Sequence, residues 1–545
     1  MTGPSRAERL TLPLARSAIR DLTLAAGGCI RPVQMRRTST VTGETDYQMI
    51  PCGATLEAVC PPCAERARSL RAEQCRDGWH LADEPDLSPR PPDETQEYWL
   101  TLRAQAQARR DKTALNGEDT AGLDELIGEL DDELAAAGIR GSVTRNTRTG
   151  DNEDEQIGSR RRSRSTRRRQ DAPDLPKRPV TARTTGQVFT APDGKTYRPS
   201  MFLTLTCDSY GKVTQDGMPA DPDSYDYRRA ARDAIHFAAL FDRLIQNMRR
   251  YLGYDVQYFA AIEPQKRLAP HAHIAFRGAI SRTDLRAVIA ATYHQVWWPP
   301  TGEVRYERDQ LPVWHEPSGR YIDPGTGELL PTWDQALDAI GPRDEPLHVA
   351  RFGPKFDAQG VLPGSKDAGR CVRYLTKYLT KHIAGCHNAS TDAERAHAAR
   401  LADAFRYEPC SPTCANWLRY GIQPKNPRPG LMPGLCRGKA HRHENLGYAG
   451  RRVLVSRKWS GKTLADHRAD RKAWLTAMLD LPADDNDPGQ YSWERVDPAD
   501  PDYLPATHRL LHVLADRSRW RTALDEARRR AETPPVPDVP TGRAA

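Results

Sequence analysis

The middle of this 545-residue chain predicts an α+β fold around a central antiparallel sheet with flanking helices. Three observations carry that prediction. "SMFLTLTCDSYG" (200–211) alternates apolar with polar residues and ends in turn chemistry, the pattern of a half-buried strand. "YDVQYFAAIE" (254–263) and "HAHIAF" (271–276) read as the two strands of a hairpin joined by the loop "PQKRLAP". Helical patterns at 231–253, 282–298 and 367–384 fall around these strands without the regular alternation of a parallel sheet. A further short strand is expected at "LHVARFG" (347–353).

Composition narrows the function classes. The hydrophobic content is 38% and there are 44 prolines, so stretches of the chain are expected to lie outside any packed core. A net charge of +8 suits a polyanion. There is no 18-residue apolar run and no signal-peptide pattern, which predicts a cytoplasmic protein with no membrane partner. In that compartment the 11 cysteines read as metal ligands or free thiols rather than disulfides.

The order of segments follows from composition. Residues 1–82 form a cysteine-rich segment. Its Cys60-Pro-Pro-Cys63 knuckle has the spacing that lets two thiolates share one zinc ion. Cys29 and Cys52 are the preferred second pair, with Cys75 as the alternate. The segment has too few apolar residues to fold unaided, so a structural Zn²⁺ is expected. Residues 83–195 read as a charged linker, partly helical at "ETQEYWLTLRAQAQARRDK" and "LDELIGELDDEL" and disordered at "RRRSRSTRRR" (160–169), where seven of ten residues are arginine. Residues 196–395 hold the α+β domain.

Residues 396–475 carry a second expected zinc site, with Cys410 and Cys414 followed by Cys436 and His441, and His443 competing for the last position. The same segment contains the basic "RRVLVSRKWSGKTLADHRADR" (451–471), in which Trp459 stands among charges as on a DNA-contacting surface. Residues 476–545 are helical over 505–532 and end in a disordered tail.

The chemistry centres on the hairpin. In a strand, alternate side chains share a face, so His271 and His273 project together. Glu263, on the partner strand, can complete a His-His-Glu set suited to Mg²⁺ or Mn²⁺ acting as a Lewis acid. Downstream, "YLTKYLTK" puts Tyr374, Lys377, Tyr378 and Lys381 on one face of the expected helix. A tyrosine attacks phosphorus if its phenolate is stabilised, and nearby lysines supply that stabilisation and hold a phosphate. The bland alternative is a tyrosine stripe packed on the sheet beside lysines whose heads reach solvent.

The strand "FLTLT", then "HAHIAF", then "YLTKYLTK" resembles, in that order, the HUH endonucleases that initiate rolling-circle replication. With the flanking "CGATLEAVCPPCAERARSLRAEQCRDGWH" and "CSPTCANWLRYGIQP", the chain is similar to the RepSA-like initiators of actinobacterial plasmids and integrative conjugative elements, over most of residues 29–470. The resemblance implies a HUH-type nuclease domain in which His271, His273 and Glu263 hold the catalytic ion. It implies that Tyr378 or Tyr374 attacks the origin to give a 5′-phosphotyrosine and a 3′-OH primer. Tyr378 is favoured because the apolar Leu375 stands three residues before it.

The implied partners are single- and double-stranded origin DNA. A host polymerase would extend the primer, and a host helicase would unwind the template because the chain has no Walker A motif. Two readings compete: a two-tyrosine transposase, and a zinc-dependent DNA-binding protein without catalysis. Conjugative relaxases fit less well, because their tyrosine precedes the histidine motif.

Overall fold

The computed structural model describes residues 12–79, 81, 83–85, 94–116, 118, 120–136, 169, 171–190, 192–308, 310–341, 343–377, 379–381, 389–449, 452–478 and 490–532. Tyr378, residues 160–168 of the arginine run and the C-terminal tail from 533 lie outside them. The described helices are α1 (Pro13–Ala25), α2 (Pro61–Trp79), α3 (Glu94–Leu115), α4 (Ala121–Ala136), α5 (Tyr227–Leu252), α6 (Arg282–Ala290), α7 (Trp333–Asp338), α8 (Lys366–Thr376), α9 (Asp392–Tyr407), α10 (Leu464–Met478) and α11 (Ala506–Glu532). The strands are β1 (Val33–Ser39), β2 (Thr45–Ile50), β3 (Phe189–Thr190), β4 (Thr196–Tyr197), β5 (Ser200–Cys207), β6 (Tyr258–Pro264), β7 (Pro270–Arg277), β8 (Tyr293–Val296), β9 (Val313–His315), β10 (Arg320–Ile322), β11 (His348–Val361), β12 (Val453–Val455) and β13 (Tyr491–Arg495).

Two compact units result, one of residues 86–166 and one of residues 1–85 with 167–545. In the smaller unit α3 packs on α4, burying Ala106, Leu130 and Leu134. Arg103 bonds Asp131 across that pair at 2.9 Å.

The larger unit is built on a six-stranded antiparallel sheet in the order β12-β6-β7-β5-β11-β8. Strand β5 shows why both faces of the sheet are used. Leu203, Leu205 and Cys207 are fully buried on the face that meets Phe237, Phe241 and Leu244 of α5, while the alternating Phe202, Thr204 and Thr206 are half-buried on the other. Helix α5 is bounded as its ends predict. Asp226 caps the N-terminus by accepting from the Arg229 N–H, and Gly253 leaves it at φ 77°.

The second face is covered at one end only, by α2, α8 and the Trp459 loop. Trp79, Phe259, Ala275, Cys371, Leu375 and Trp459 pack there. The chain segments interlock: β12 is the edge strand beside β6, and β13 pairs with β1 to complete a sheet of order β13-β1-β2.

Four local readings of the sequence change in three dimensions. The helix expected over 282–298 stops at Ala290, and Tyr293–Val296 becomes β8, paired with His348–Arg351. Thr292 turns its hydroxyl back onto the Val288 carbonyl at 2.7 Å, and an unpaired strand edge was waiting beside it. The short strand at 347–353 runs on to Val361, because Gly353-Pro354 makes a bulge between Phe352 and Phe356 rather than an end.

The helix expected to 384 ends at Thr376, whose hydroxyl bonds the Val372 carbonyl at 2.9 Å, so Lys381 does not continue the Tyr374 row. Trp459 is not a surface stacking residue. It is fully buried against Phe259, and its Nε1 donates to the Gln74 carbonyl at 3.1 Å. No described helix is long and apolar enough to cross a membrane.

Candidate metal centre

The hairpin β6–β7 pairs Glu263 with His271 and Ala261 with His273. All three side chains emerge on the half-covered face, at the border where α8 stops. Their donor atoms lie within 4.8 Å of one another. The His273 Nε2 is 3.2 Å from the Glu263 Oε1. The two imidazoles stand nearly perpendicular, with centroids 4.4 Å apart. Two nitrogens and a carboxylate oxygen converging on one point fit a divalent cation with open positions.

Electrostatics favour the ligand forms of His271 and Glu263. Burial pushes His271 down to about 4, helped by His273 and opposed by Glu263, so at neutral pH it keeps a lone pair for an ion. Burial works against the Glu263 charge, but the His273 hydrogen bond and the charges of His273, His271 and Arg452 hold its carboxyl below the ordinary value.

Beside the centre is a cleft of about 370 Å³, lined by Phe202, Thr204, His271, His273, Asp357 and Tyr374 among others. Tyr374, on the last turn of α8, is 43% exposed. Its ring meets that of His273 edge to face at 4.6 Å. Lys377 follows at the helix cap and Lys381 lies beyond it. The sequence reading did not single out Thr204 and Thr206 of β5. Thr206 Oγ1 is 2.7 Å from His271 Nδ1, and Thr204 Oγ1 is 3.1 Å from His273 Nδ1. The signal was present in "LTLT", since alternate threonines in a strand share a face.

Two further donor sets form away from the cleft. Cys29, Cys52, Cys60 and Cys63 gather their sulfurs within 4.8 Å, and the Cys52 N–H points at the Cys29 sulfur at 3.3 Å. Cys75 is not among them. It is buried in the apolar cluster with Trp79 and Cys371, where burial pushes its thiol up. Cys410, Cys414, Cys436 and His441 make the second set. Here the Gly438 N–H donates to the Cys436 sulfur at 3.4 Å, and His443 stays exposed outside the set. Four sulfur or nitrogen donors around one point match structural zinc.

The RepSA family model, described as "Replication initiator protein, pSAM2", matches residues 15–516. This chain belongs to that family. As a RepSA chain it is a replication initiator, and its partner is DNA. No curated protein and no solved structure gave a match.

Proposed function

We propose that the six-stranded sheet is a HUH-type nuclease domain, which nicks the replication origin and starts rolling-circle synthesis in the cytoplasm. The observation that carries this reading is the Tyr374 ring against His273, in a cleft lined by the two histidines whose donor atoms gather with that of Glu263. A nucleophile of this kind and a divalent-ion site beside it are what a phosphoryl-transfer centre needs.

His271, His273 and Glu263 would hold Mg²⁺ or Mn²⁺, which when bound supplies Lewis-acid polarisation of the scissile phosphate. The Tyr374 or Tyr378 phenol loses its proton to solvent, and its oxygen forms a bond to phosphorus. The bond from phosphorus to the 3′ oxygen breaks, and that oxygen takes up a proton to become the 3′-OH primer. The 5′ side remains on the tyrosine as a phosphodiester. Lys377, at the helix cap, lowers the cost of the phenolate and holds the phosphate, a part that Lys381 shares only from beyond the helix end. A pair of tyrosines allows one to open a round and the other to close it. Host helicase and polymerase would extend the primer.

The test uses a single-stranded origin oligonucleotide labelled 3′ of the nick, so the label stays with the captured 5′-phosphate. Wild type should give an adduct that survives detergent and disappears with protease. Tyr374→Phe or Tyr378→Phe should lose it if that residue initiates, and the double variant should lose it in any case. An undiminished adduct in the double variant would overturn the tyrosine assignment.

A further inference from the structure

We infer that Thr204 and Thr206 are positioning residues of the His271–His273–Glu263 centre, each accepting the Nδ1 proton of one imidazole when a cation sits at that ring's Nε2. The inference rests on reading that centre as a divalent-ion site.

A neutral imidazole carries one N–H and one lone pair, and nothing in the ring decides which nitrogen has which. Burial removes water as the arbiter: His271 is 9% exposed and His273 is 5% exposed. The choice passes to the protein. Strand β5 makes it twice, because its register sets Thr206 opposite His271 and Thr204 opposite His273. Both rings turn Nδ1 toward β5, at 2.7 and 3.1 Å from the hydroxyls. Glu263 lies on the other neighbouring strand, β6. His273 Nε2 faces the Glu263 carboxylate at 3.2 Å, a hydrogen bond whose proton a bound cation would displace, and His271, with Nδ1 on its threonine, has Nε2 as its remaining donor atom.

A metal-bound imidazole must present a lone pair at the coordinating atom, so its other nitrogen carries the proton and needs an acceptor. A threonine hydroxyl is such an acceptor. At His271 one other group approaches Nδ1, the Gln265 Nε2 at 3.3 Å. The Gln265 Oε1 accepts from Arg267 at 2.9 Å, which turns the amide nitrogen, a donor, toward the ring. An amide donor cannot take the Nδ1 proton that a cation at Nε2 requires, so with the ion bound Thr206, the closer group, is the acceptor. Valine would fill a half-buried strand position equally well. A hydroxyl at both positions, each in register with a histidine, is explained by the hydrogen bond it makes.

The experiment titrates Mn²⁺ into the full-length, zinc-loaded protein by calorimetry. It compares wild type with T204V/T206V, which keeps the shape and removes the hydroxyls, and T204S/T206S, which keeps the hydroxyls. H271A/H273A serves as the reference without ligands. The valine double variant should bind Mn²⁺ about 10–100-fold more weakly, the range for losing an outer partner of a histidine ligand. The serine double variant should stay close to wild type. Wild-type affinity in the valine variant overturns the inference and leaves the ion site standing. An equal loss in the serine variant also overturns it, because the methyl groups rather than the hydroxyls would then matter. If wild type binds no more Mn²⁺ than H271A/H273A, the ion reading itself falls.

Discussion

Burial first, then the charge of His273, holds the His271 imidazole neutral well below physiological pH, beside a carboxylate that stays ionised. Replacing it should remove the ion's grip without touching other surfaces. His271→Ala is expected to lower nicking with Mg²⁺ or Mn²⁺ by about 100-fold or more, while gel-shift binding of duplex origin DNA stays near wild type. Nicking at the wild-type rate would make the histidine pair a core feature only.

A second group of histidines lies on the opposite side of the sheet, where His236 of α5 faces His294 of β8 and His348 of β11. Burial, then the charges of Arg243 and His348, pushes His294 down to about 4. Burial likewise takes His236 well below its ordinary value, followed by the charges of His294, His348 and Arg232. A folded pKa below the unfolded one means that the unfolded chain binds protons first as pH falls. The stability is therefore complete above about pH 6.5 and is lost between there and pH 4, by about 3 kcal/mol for His294. Urea midpoints at pH 7 and pH 5 should differ less in His294→Gln than in wild type. The exposed His315→Gln should leave the difference unchanged.

At the scale of elements, α2 is fitted to the sheet by one glycine and one arginine. A Cβ on Gly78 would come within 2.2 Å of the Trp459 ring. The buried Arg277 of β7 donates to the Gly78 carbonyl at 2.7 Å and to the Lys458 carbonyl at 3.0 Å. These contacts tie the N-terminal cysteine segment, the six-stranded sheet and the Trp459 loop into one packed face. Gly78→Ala should cost about 1–3 kcal/mol through overpacking. It should also shift Trp459 fluorescence toward that of an exposed indole. An unchanged melting temperature with unchanged emission would show that the helix slides to make room.

At the scale of the molecule, the first cysteine set gathers a segment with little apolar surface of its own, and the second borders an aromatic cluster. Near the second set, Trp298, Trp333 and Trp417 stack edge to face. The protein should contain about two equivalents of zinc by elemental analysis. Removing zinc with a chelator should red-shift this tryptophan cluster before the sheet unfolds. Cys60→Ser should aggregate rather than lose nicking selectively. Folded, active protein with no zinc would remove both sites.

Much of this was legible in the sequence because it is local. The Cys60–Cys63 knuckle brings its sulfurs together within a few residues, and the alternation of "HAHIAF" puts two imidazoles on one face whatever the sheet does next. The helix of 231–253 announces itself by its apolar stripe. What the sequence left open depended on partners far along the chain. Residues 293–296 became a strand because β11 offered an unpaired edge. Trp459 became core because α2 left it a slot at Gly78. Cys75 fell out of the zinc set because the sheet and α8 buried it elsewhere. Short-range spacing determines which atoms are able to meet, whereas hydrogen-bond pairing and close packing between distant segments decide which of them do.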